Sequence, residues 1–230
     1  MLQRILTSAL LAGFCAGLIA AALQFAFVQP VLLHAELYES GELVHFGGDA
    51  VSADPDLPGF SPVRDGLSVL FSALIYVGYA LMLVAVMALA ADRGVRIDAR
   101  TGLVWGIAGF AAFHLAPAVS LPPEVPGVAA GDIGARQVWW WSTVAATAAG
   151  LGLIGFGRSW AAWGAAAVLI VAPHAVGAPH PDSFAGPVPP EIAALFASRA
   201  LGVGLAVWVV LGALAGYFWQ REATQAPAAA

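Results

Sequence analysis

Five histidines are the residues of this sequence best suited to metal chemistry, and they are unevenly placed. They are His34, His45, His114, His174 and His180. Once the apolar segments are laid out as membrane spans, all five fall toward one side. Imidazole is a good ligand for late first-row metals, and many Asp and Glu residues share those segments. The pattern predicts a face that meets a divalent cation; the alternative is an accident of loop polarity.

The composition identifies the class of protein that must position these residues. Of 230 residues, 60% are hydrophobic and only 10% are charged, and the mean hydropathy is +0.84. This composition indicates an integral membrane protein. The net charge of −5 argues against a nucleic-acid partner. The single cysteine, Cys15, lies inside an apolar run, which excludes an intrachain disulfide and a thiolate metal cage.

Six apolar segments have about the length that a helix needs to cross a bilayer. The predicted spans are roughly Leu6–Val28, Leu67–Ala91, Thr101–Ala118, Val138–Phe156, Ala161–Gly177 and Ala193–Tyr217. Only helices fit, because no barrel-like alternation appears. We therefore expect an all-α polytopic protein, residues 1–230 forming one transmembrane domain with a disordered tail over 222–230. Small-residue faces for helix packing are predicted at Gly13 with Gly17, and at Gly102, Gly106 and Gly109.

The arginines predict the orientation, since the chain has no lysine. Most of them fall in one set of segments: Arg4, Arg93, Arg96, Arg100, Arg158 and Arg221. By the positive-inside rule this set is cytoplasmic, and so are both termini. The tryptophans are expected to form an aromatic belt, Trp139, Trp140 and Trp141 at the outer boundary, with ligand stacking as the alternative for this triplet.

The longest outer segment, residues 29–66, is acidic and extracytoplasmic in this arrangement. It contains His34, Glu36 and Glu39, followed by Glu42 and His45. If it is helical, Glu36 and Glu39 share a face, as do Glu42 and His45. We predict that it collects cations; a solvated acidic loop is the alternative. Its second half is rich in turn residues and is expected to be irregular.

The outer ends of the third and fifth spans resemble each other. Each has an Ala-Pro pair near the end of a helix, a histidine beside it and Pro-Pro-Glu farther on. These residues are His114, Pro117 and Glu124 in the first copy, and Pro173, His174 and Glu191 in the second. A duplicated two-helix hairpin would explain the similarity, and many transporters contain repeats.

His114 and His174 are predicted at the same depth, each 13 residues past the start of its span. Arg199, in span six, falls near that layer. Ionisable residues within a membrane indicate function by default, so we predict a metal site between spans three, five and six. Its expected ligands are His114, His174 and Glu124, with His34, Glu36 and His180 outside. Arg136, Glu191 and Arg199 are expected to pair with ligands or orient them, Arg199 through a carboxylate such as Glu124 or Glu191; equally, Arg199 could mean that the ligand is an anion. The alternative is that both deep histidines hydrogen-bond loop backbone or extend to the membrane interface.

Several motifs resemble the CbtA family of proposed cobalt transporter subunits. They are the stretch from His114 through Glu124 to Gly127, then Arg136-Gln137-Val138-Trp139-Trp140, Ala172-Pro173-His174 and Gly177-Ala178-Pro179, with Gly13, Gly17, Pro30 and Glu36 near the N-terminus. The resemblance implies a bacterial inner-membrane protein that supplies cobalt for cobalamin synthesis. It also implies a partner, CbtB, a small single-span protein with a His-rich motif. The family is described with five spans, one fewer than the six counted here.

The leading hypothesis is uptake of Co²⁺, or of Ni²⁺, as a transported substrate, with no tightly bound cofactor. No GxxxxGK[ST] loop is present, and no catalytic motif stands out, so we expect no enzyme. A negative interior favours entry of a divalent cation by about 4.6 kcal/mol per 100 mV, from about 2.3 per elementary charge. Two alternatives remain open: a redox protein holding haem between His114 and His174, and a structural or assembly subunit.

Overall fold

A computed structural model describes residues 1–47 and 51–225 of the chain. Within these residues the protein is all-helical and has no strand. It contains six helices in chain order: α1 (Leu2–Glu39), α2 (Pro62–Ala91), α3 (Ala99–Ala118), α4 (Ile133–Phe156), α5 (Trp160–Val176) and α6 (Pro190–Gln225). The predicted all-α fold with six apolar helices is confirmed.

The count of five or six spans depends on α5. Five of the six helices are long and apolar enough to cross a membrane, whereas α5 has only 17 residues. At 1.5 Å per residue, 17 residues extend about 26 Å, slightly less than a typical hydrocarbon core of about 30 Å. The chain is therefore a multi-pass membrane protein with five clear spans and a short sixth helix.

Helix α1 is much longer than the predicted span Leu6–Val28. It runs to Glu39 because a π-helical segment, Gln24–Val28, joins two α-helical stretches. Pro30 follows within the first turn of the second stretch, where its missing N–H is tolerated. The helix thus extends beyond the predicted span, because Gln29 and Pro30 interrupt the apolar run without ending the helix.

Side-chain caps explain where several helices begin. Asp132 accepts a hydrogen bond from the backbone of Ala135 at the start of α4, and Ser159 does the same for Ala162 at the start of α5. Before α3, Asp98 and Thr101 exchange hydrogen bonds between side chain and backbone. These bonds satisfy N–H groups that lack a partner within the helix. The bond from Thr101 N–H is the main reason that the pKa of Asp98 lies below its ordinary value.

The chain divides into two compact units. Helices α1, α3 and α6 each contribute residues to both of them. Unit 1 comprises Met1–Ala26, Gly59–Phe110 and Gly202–Ala230. Unit 2 comprises Phe27–Pro58 and Ala111–Leu201. Two of the boundaries fall at π-helical segments, inside Gln24–Val28 and at the start of Ala111–Leu115. Irregular helix geometry therefore coincides with two of the four points where the chain passes from one unit to the other.

Unit 1 is held together by close helix crossings at glycines. A Cβ added at Gly13 of α1 would lie 2.7 Å from the carbonyl oxygen of Tyr76 in α2, and one at Gly17 would lie 2.9 Å from that of Ser72. Both distances are shorter than a carbon atom tolerates. The predicted packing role of Gly13 and Gly17 is thus confirmed, since only glycine allows these backbones to approach.

Helices α3 and α6 cross in the same way within unit 1. A Cβ at Gly212 would lie 2.6 Å from the backbone nitrogen of Gly106, and one at Gly102 or Gly106 would strike the backbone of α6. One at Gly109 would strike the ring of Trp208, which is fully buried. The predicted glycine face of α3 is confirmed as well.

Unit 2 is built around helix α4. Helix α5 packs along α4, where Gly150 leaves room for Ala166 and Ile170, and the end of α3 packs against α4 as well. Two connecting segments, 119–132 and 177–189, meet through a hydrogen bond from Ala129 N–H to the carbonyl of Ala185. A small apolar cluster joins them to α1 and contains Ala35, Tyr38, Val125 and Val188. These contacts give the loop residues of unit 2 defined positions.

Two predictions about segment ends need correction. Glu42 and His45 lie beyond the end of α1 at Glu39, in a turn and loop, so they do not share a helical face. Residues 51–61 are irregular, as predicted. At the other end, α6 continues through Gln225. The predicted tail therefore begins too early at 222, and residues 226–230 lie outside the described residues, as does Asp49 of the acidic segment.

Candidate metal site

The division into units separates the titratable residues sharply. All five histidines belong to unit 2. That unit also holds ten of the 14 acidic residues but only three of the nine arginines, which gives it a formal charge of −7. Unit 1 holds the other six arginines and four acidic residues, for a charge of +2. The residue types that bind divalent cations are therefore concentrated in one compact part of the molecule.

His174 is the best-defined member of the candidate site. It lies in the last turn of α5, half-buried, with its ring nitrogen Nδ1 at 3.1 Å from the hydroxyl oxygen of Ser120. The ring of Trp139 meets the imidazole edge-on, with the ring centroids 5.9 Å apart. Trp139 Nε1 also donates to the carbonyl of Pro173 at 3.0 Å. Ser120 and Trp139 thus fix the position of this imidazole, the latter also through the backbone of Pro173.

The role of Trp139 differs from the predicted aromatic belt. Its side chain is only 7% exposed, whereas Trp141, two residues on, is 54% exposed. Carbonyls in the last turn of a helix often lack a partner within the helix and accept from residues that follow it or from side chains. The carbonyl of Pro173 obtains two, from Trp139 Nε1 and from Gly177 N–H, the latter 3.1 Å away. Trp139 is therefore an internal packing residue that holds the end of α5.

His114 lies in an unusual backbone segment. It belongs to the π-helical residues Ala111–Leu115 of α3, three residues before Pro117. The adjacent Phe113 contacts the rings of Trp140 and Trp141 on α4, with centroids 6.0 and 6.3 Å apart. π-Helical turns are frequent at functional sites, because the extra residue turns side chains away from their regular directions. The sequence could not have shown this feature.

The arginine pairing predicted for the site is different in the structure. Glu124 pairs with Arg136, whose guanidinium lies 2.6 Å from the carboxylate. Arg199 instead donates to the backbone carbonyl of Phe27, 3.1 Å away, within the π-helical segment of α1. The expected pairing of Arg199 with Glu124 or Glu191 is therefore wrong. Glu191 is exposed in the first turn of α6.

The reason lies in backbone geometry that the sequence hides. Phe27 lies in the π-helical segment Gln24–Val28, where the regular i to i+4 bonding of the helix is interrupted. A guanidinium is a strong hydrogen-bond donor, and Arg199 donates to the carbonyl of Phe27 in this segment. The charge of Arg199 is thus directed to the irregular turn of α1.

The remaining candidates lie near the ends of the helices. His34 stacks on Tyr38 one turn along α1, and Glu36 and Glu39 are exposed on the same helix. His180 is exposed, and its Nδ1 lies 3.1 Å from the carbonyl of Pro181. His180 thus bonds to a neighbour in sequence, whereas Nε2 of His34 is buried and has no hydrogen-bond partner among the described residues.

In the described part of the chain, no three His, Cys, Asp or Glu side chains converge into a set that could hold a metal ion. The paired loops also differ locally: α3 ends through a π-helical turn before Pro117, whereas Pro173 lies inside regular α-helix. The structure thus gives His174 a defined environment, places Glu124 with Arg136, and leaves the ligand set as a prediction.

These helices define a multi-pass membrane protein whose metal-binding residue types are gathered in one unit. A family model described as "Probable cobalt transporter subunit (CbtA)" matches residues 2–220. The chain therefore belongs to the CbtA family, which confirms the resemblance drawn from its motifs. No curated protein and no solved structure matched the chain.

Proposed function

We propose that this chain is the membrane subunit through which Co²⁺, or a similar divalent metal such as Ni²⁺, enters the cell. The observation that carries the proposal is the concentration of all five histidines and ten acidic residues in unit 2 of a chain that belongs to the CbtA family. Neutral imidazole with carboxylate is a donor set that suits cobalt and nickel. Unit 1, which has no histidine, supplies the packed helices.

The proposed path begins at exposed carboxylates and ends at half-buried imidazoles. Glu36 and Glu39, exposed on α1, attract the cation from solution. Glu124 then binds the cation and passes it to His114 and His174. Its ion pair with Arg136 weakens while the metal is bound. The membrane potential supplies the driving force, about 4.6 kcal/mol per 100 mV for a doubly charged ion, so no ATPase is needed.

The proposed orientation places the segments that follow α1, α3 and α5 outside the cell. The segments 92–98 and 157–159, which contain Arg93, Arg96 and Arg158, are then cytoplasmic together with both termini. We place the protein in a bacterial inner membrane with all six helices crossing, α5 being accommodated by modest thinning of the bilayer. A subunit implies a partner, and a CbtB-like single-span protein with a His-rich motif is the one we propose.

The proposal is tested by cobalt uptake in cells and in vesicles. His114→Ala with His174→Ala should reduce metal-dependent uptake to the level of cells without the protein, because both imidazole ligands are lost. The matched control is His45→Ala, which removes an exposed loop histidine and should leave uptake unchanged. Uptake at the wild-type rate in the double variant, at equal protein level, would show that the path does not use these histidines.

A second candidate function has its own observation. The nearest contacts of His174 and His180 are loop groups, Ser120 and the Pro181 carbonyl, which suit a structural subunit as well. Reconstitution in vesicles separates the two roles. Flux that needs this chain together with CbtB supports the metal path, whereas full flux from CbtB alone assigns this chain to assembly. A Soret band in the purified protein would favour the haem alternative.

A further inference from the structure

His174 is engaged at one of its two ring nitrogens. Nδ1 lies 3.1 Å from the hydroxyl oxygen of Ser120, in the segment that follows α3. Among the residues that the structure describes, no group hydrogen-bonds Nε2 of this ring, nor is Nε2 sealed from solvent. The ring is thus fixed from one side and open at the other nitrogen.

The neighbouring contacts restrict rotation of the same ring. Trp139, itself buried, meets the imidazole edge-on, and its Nε1 holds the carbonyl of Pro173, the residue before His174. Ser120 in turn lies in a tight turn, where its N–H and that of Leu121 both reach the carbonyl of Pro117. The Ser120 hydroxyl is therefore presented from a defined backbone, as a positioning group must be.

We propose that Ser120 is a positioning residue that prepares His174 for the metal. In this role its hydroxyl oxygen accepts a hydrogen bond from Nδ1–H, which leaves the lone pair on Nε2 to bind a divalent cation. The inference rests on the proposed function, in which His174 is a ligand. A neutral imidazole that binds metal through Nε2 must carry its proton on Nδ1, and the partner of Nδ1 selects that tautomer. A serine hydroxyl can accept such a bond.

The inference also explains why the segment after α3 contacts the last turn of α5. Ser120 follows α3 and His174 ends α5, so the bond joins helices that carry the two histidines of the proposed path. Removing the partner of a metal-binding histidine typically weakens metal affinity by about 10- to 100-fold. If Ser120 instead donated to Nδ1, the proton would lie on Nε2, and that nitrogen would have no lone pair for a metal.

The test compares Ser120→Ala with the conservative Ser120→Thr. The matched control is Ser142→Ala, because the Ser142 hydroxyl is exposed and bonds only to a carbonyl of its own helix. Metal-free protein with ¹⁵N-labelled histidine, in nanodiscs, reports the tautomer, with the His174 signal identified by its absence in His174→Ala. Titration with Co²⁺ alone, followed by its visible absorption, reports affinity.

We expect the Nδ1–H form in wild type, in Ser120→Thr and in the control, and a shift toward Nε2–H in Ser120→Ala. Cobalt affinity should fall by about tenfold or more in Ser120→Ala only. An unchanged tautomer, or a changed tautomer with unchanged affinity, would overturn the inference. The proposed function is judged separately: if His174→Ala binds and transports cobalt like wild type, that function fails, while the tautomer shift still shows whether Ser120 sets the ring.

Discussion

Unit 1 and unit 2 are both helical, but different kinds of contact hold them together. In unit 1, glycines let backbones cross closely, as between Gly106 and Gly212, and no histidine is present. In unit 2, the proline-rich segments 119–132 and 177–189 contact each other, and polar contacts such as Ser120 with His174 hold the helix ends. Because lipid tails are as apolar as the helices, close packing is what holds unit 1 together. Unit 2 instead contains all five histidines and most of the acidic residues.

The contrast teaches where change should be tolerated. A tight backbone crossing has no alternative arrangement, so a single added carbon should disturb the whole of unit 1. A polar contact in unit 2 contributes less to folding, because water or a neighbour can replace part of it. Substitutions in unit 1 should therefore act on folding, and those in unit 2 should act first on metal handling.

The largest effect is expected at the α3–α6 crossing. Gly212→Ala places a Cβ 2.6 Å from the backbone nitrogen of Gly106, so the helices must separate. Overpacking of this kind typically costs about 1–3 kcal/mol, and more where backbone is struck. The yield of monodisperse protein and its thermal unfolding in detergent should both drop. Gly202→Ala, on the same helix with open space around it, is the control and should be neutral; equal behaviour of the two variants would refute the role assigned to the crossing.

A smaller loss is expected when the Trp139 indole loses its donor. Trp139→Phe keeps a ring beside His174 and removes the bond from Nε1 to the carbonyl of Pro173. That carbonyl retains Gly177 N–H, so the cost should lie near the lower end of the usual range of about 0.5–1.5 kcal/mol. The melting temperature of the purified protein measures it. The control Trp141→Phe changes an exposed ring, and if it destabilises as much, the buried bond contributes nothing.

The sequence predicted features that depend on local pattern. Apolar runs located all six helices, and the spacing of Gly13 and Gly17 located a real helix crossing. It failed where the outcome depends on partners distant in the chain. Neither the bond from Arg199 to the carbonyl of Phe27 nor that between Ser120 and His174 leaves a trace in spacing.

The acidic surface should show a modest, salt-dependent effect. Glu36→Gln with Glu39→Gln removes two exposed carboxylates of unit 2. We expect the cobalt concentration for half-maximal uptake to rise about two- to five-fold at low ionic strength, because surface charge effects are typically under about 1 kcal/mol. Added salt should erase the difference, because exposed charges are screened. Asp92→Asn with Glu222→Gln, in unit 1, neutralises the same number of charges. A similar rise in that control would mean that net charge, not the surface of unit 2, governs uptake.

The smallest effect concerns the ion pair between Arg136 and Glu124. Both side chains are partly exposed, so a double-mutant cycle with alanine should give a coupling energy of only about 0.2–1 kcal/mol in metal-free protein. If Glu124 becomes a cobalt ligand, the metal competes with Arg136 for the same carboxylate, and the coupling should shrink at saturating Co²⁺. Thermal unfolding of the four proteins with and without the metal measures both values. A coupling energy that cobalt leaves unchanged would mean that Glu124 stays paired with Arg136. A carboxylate that binds a metal ion must bind the guanidinium more weakly.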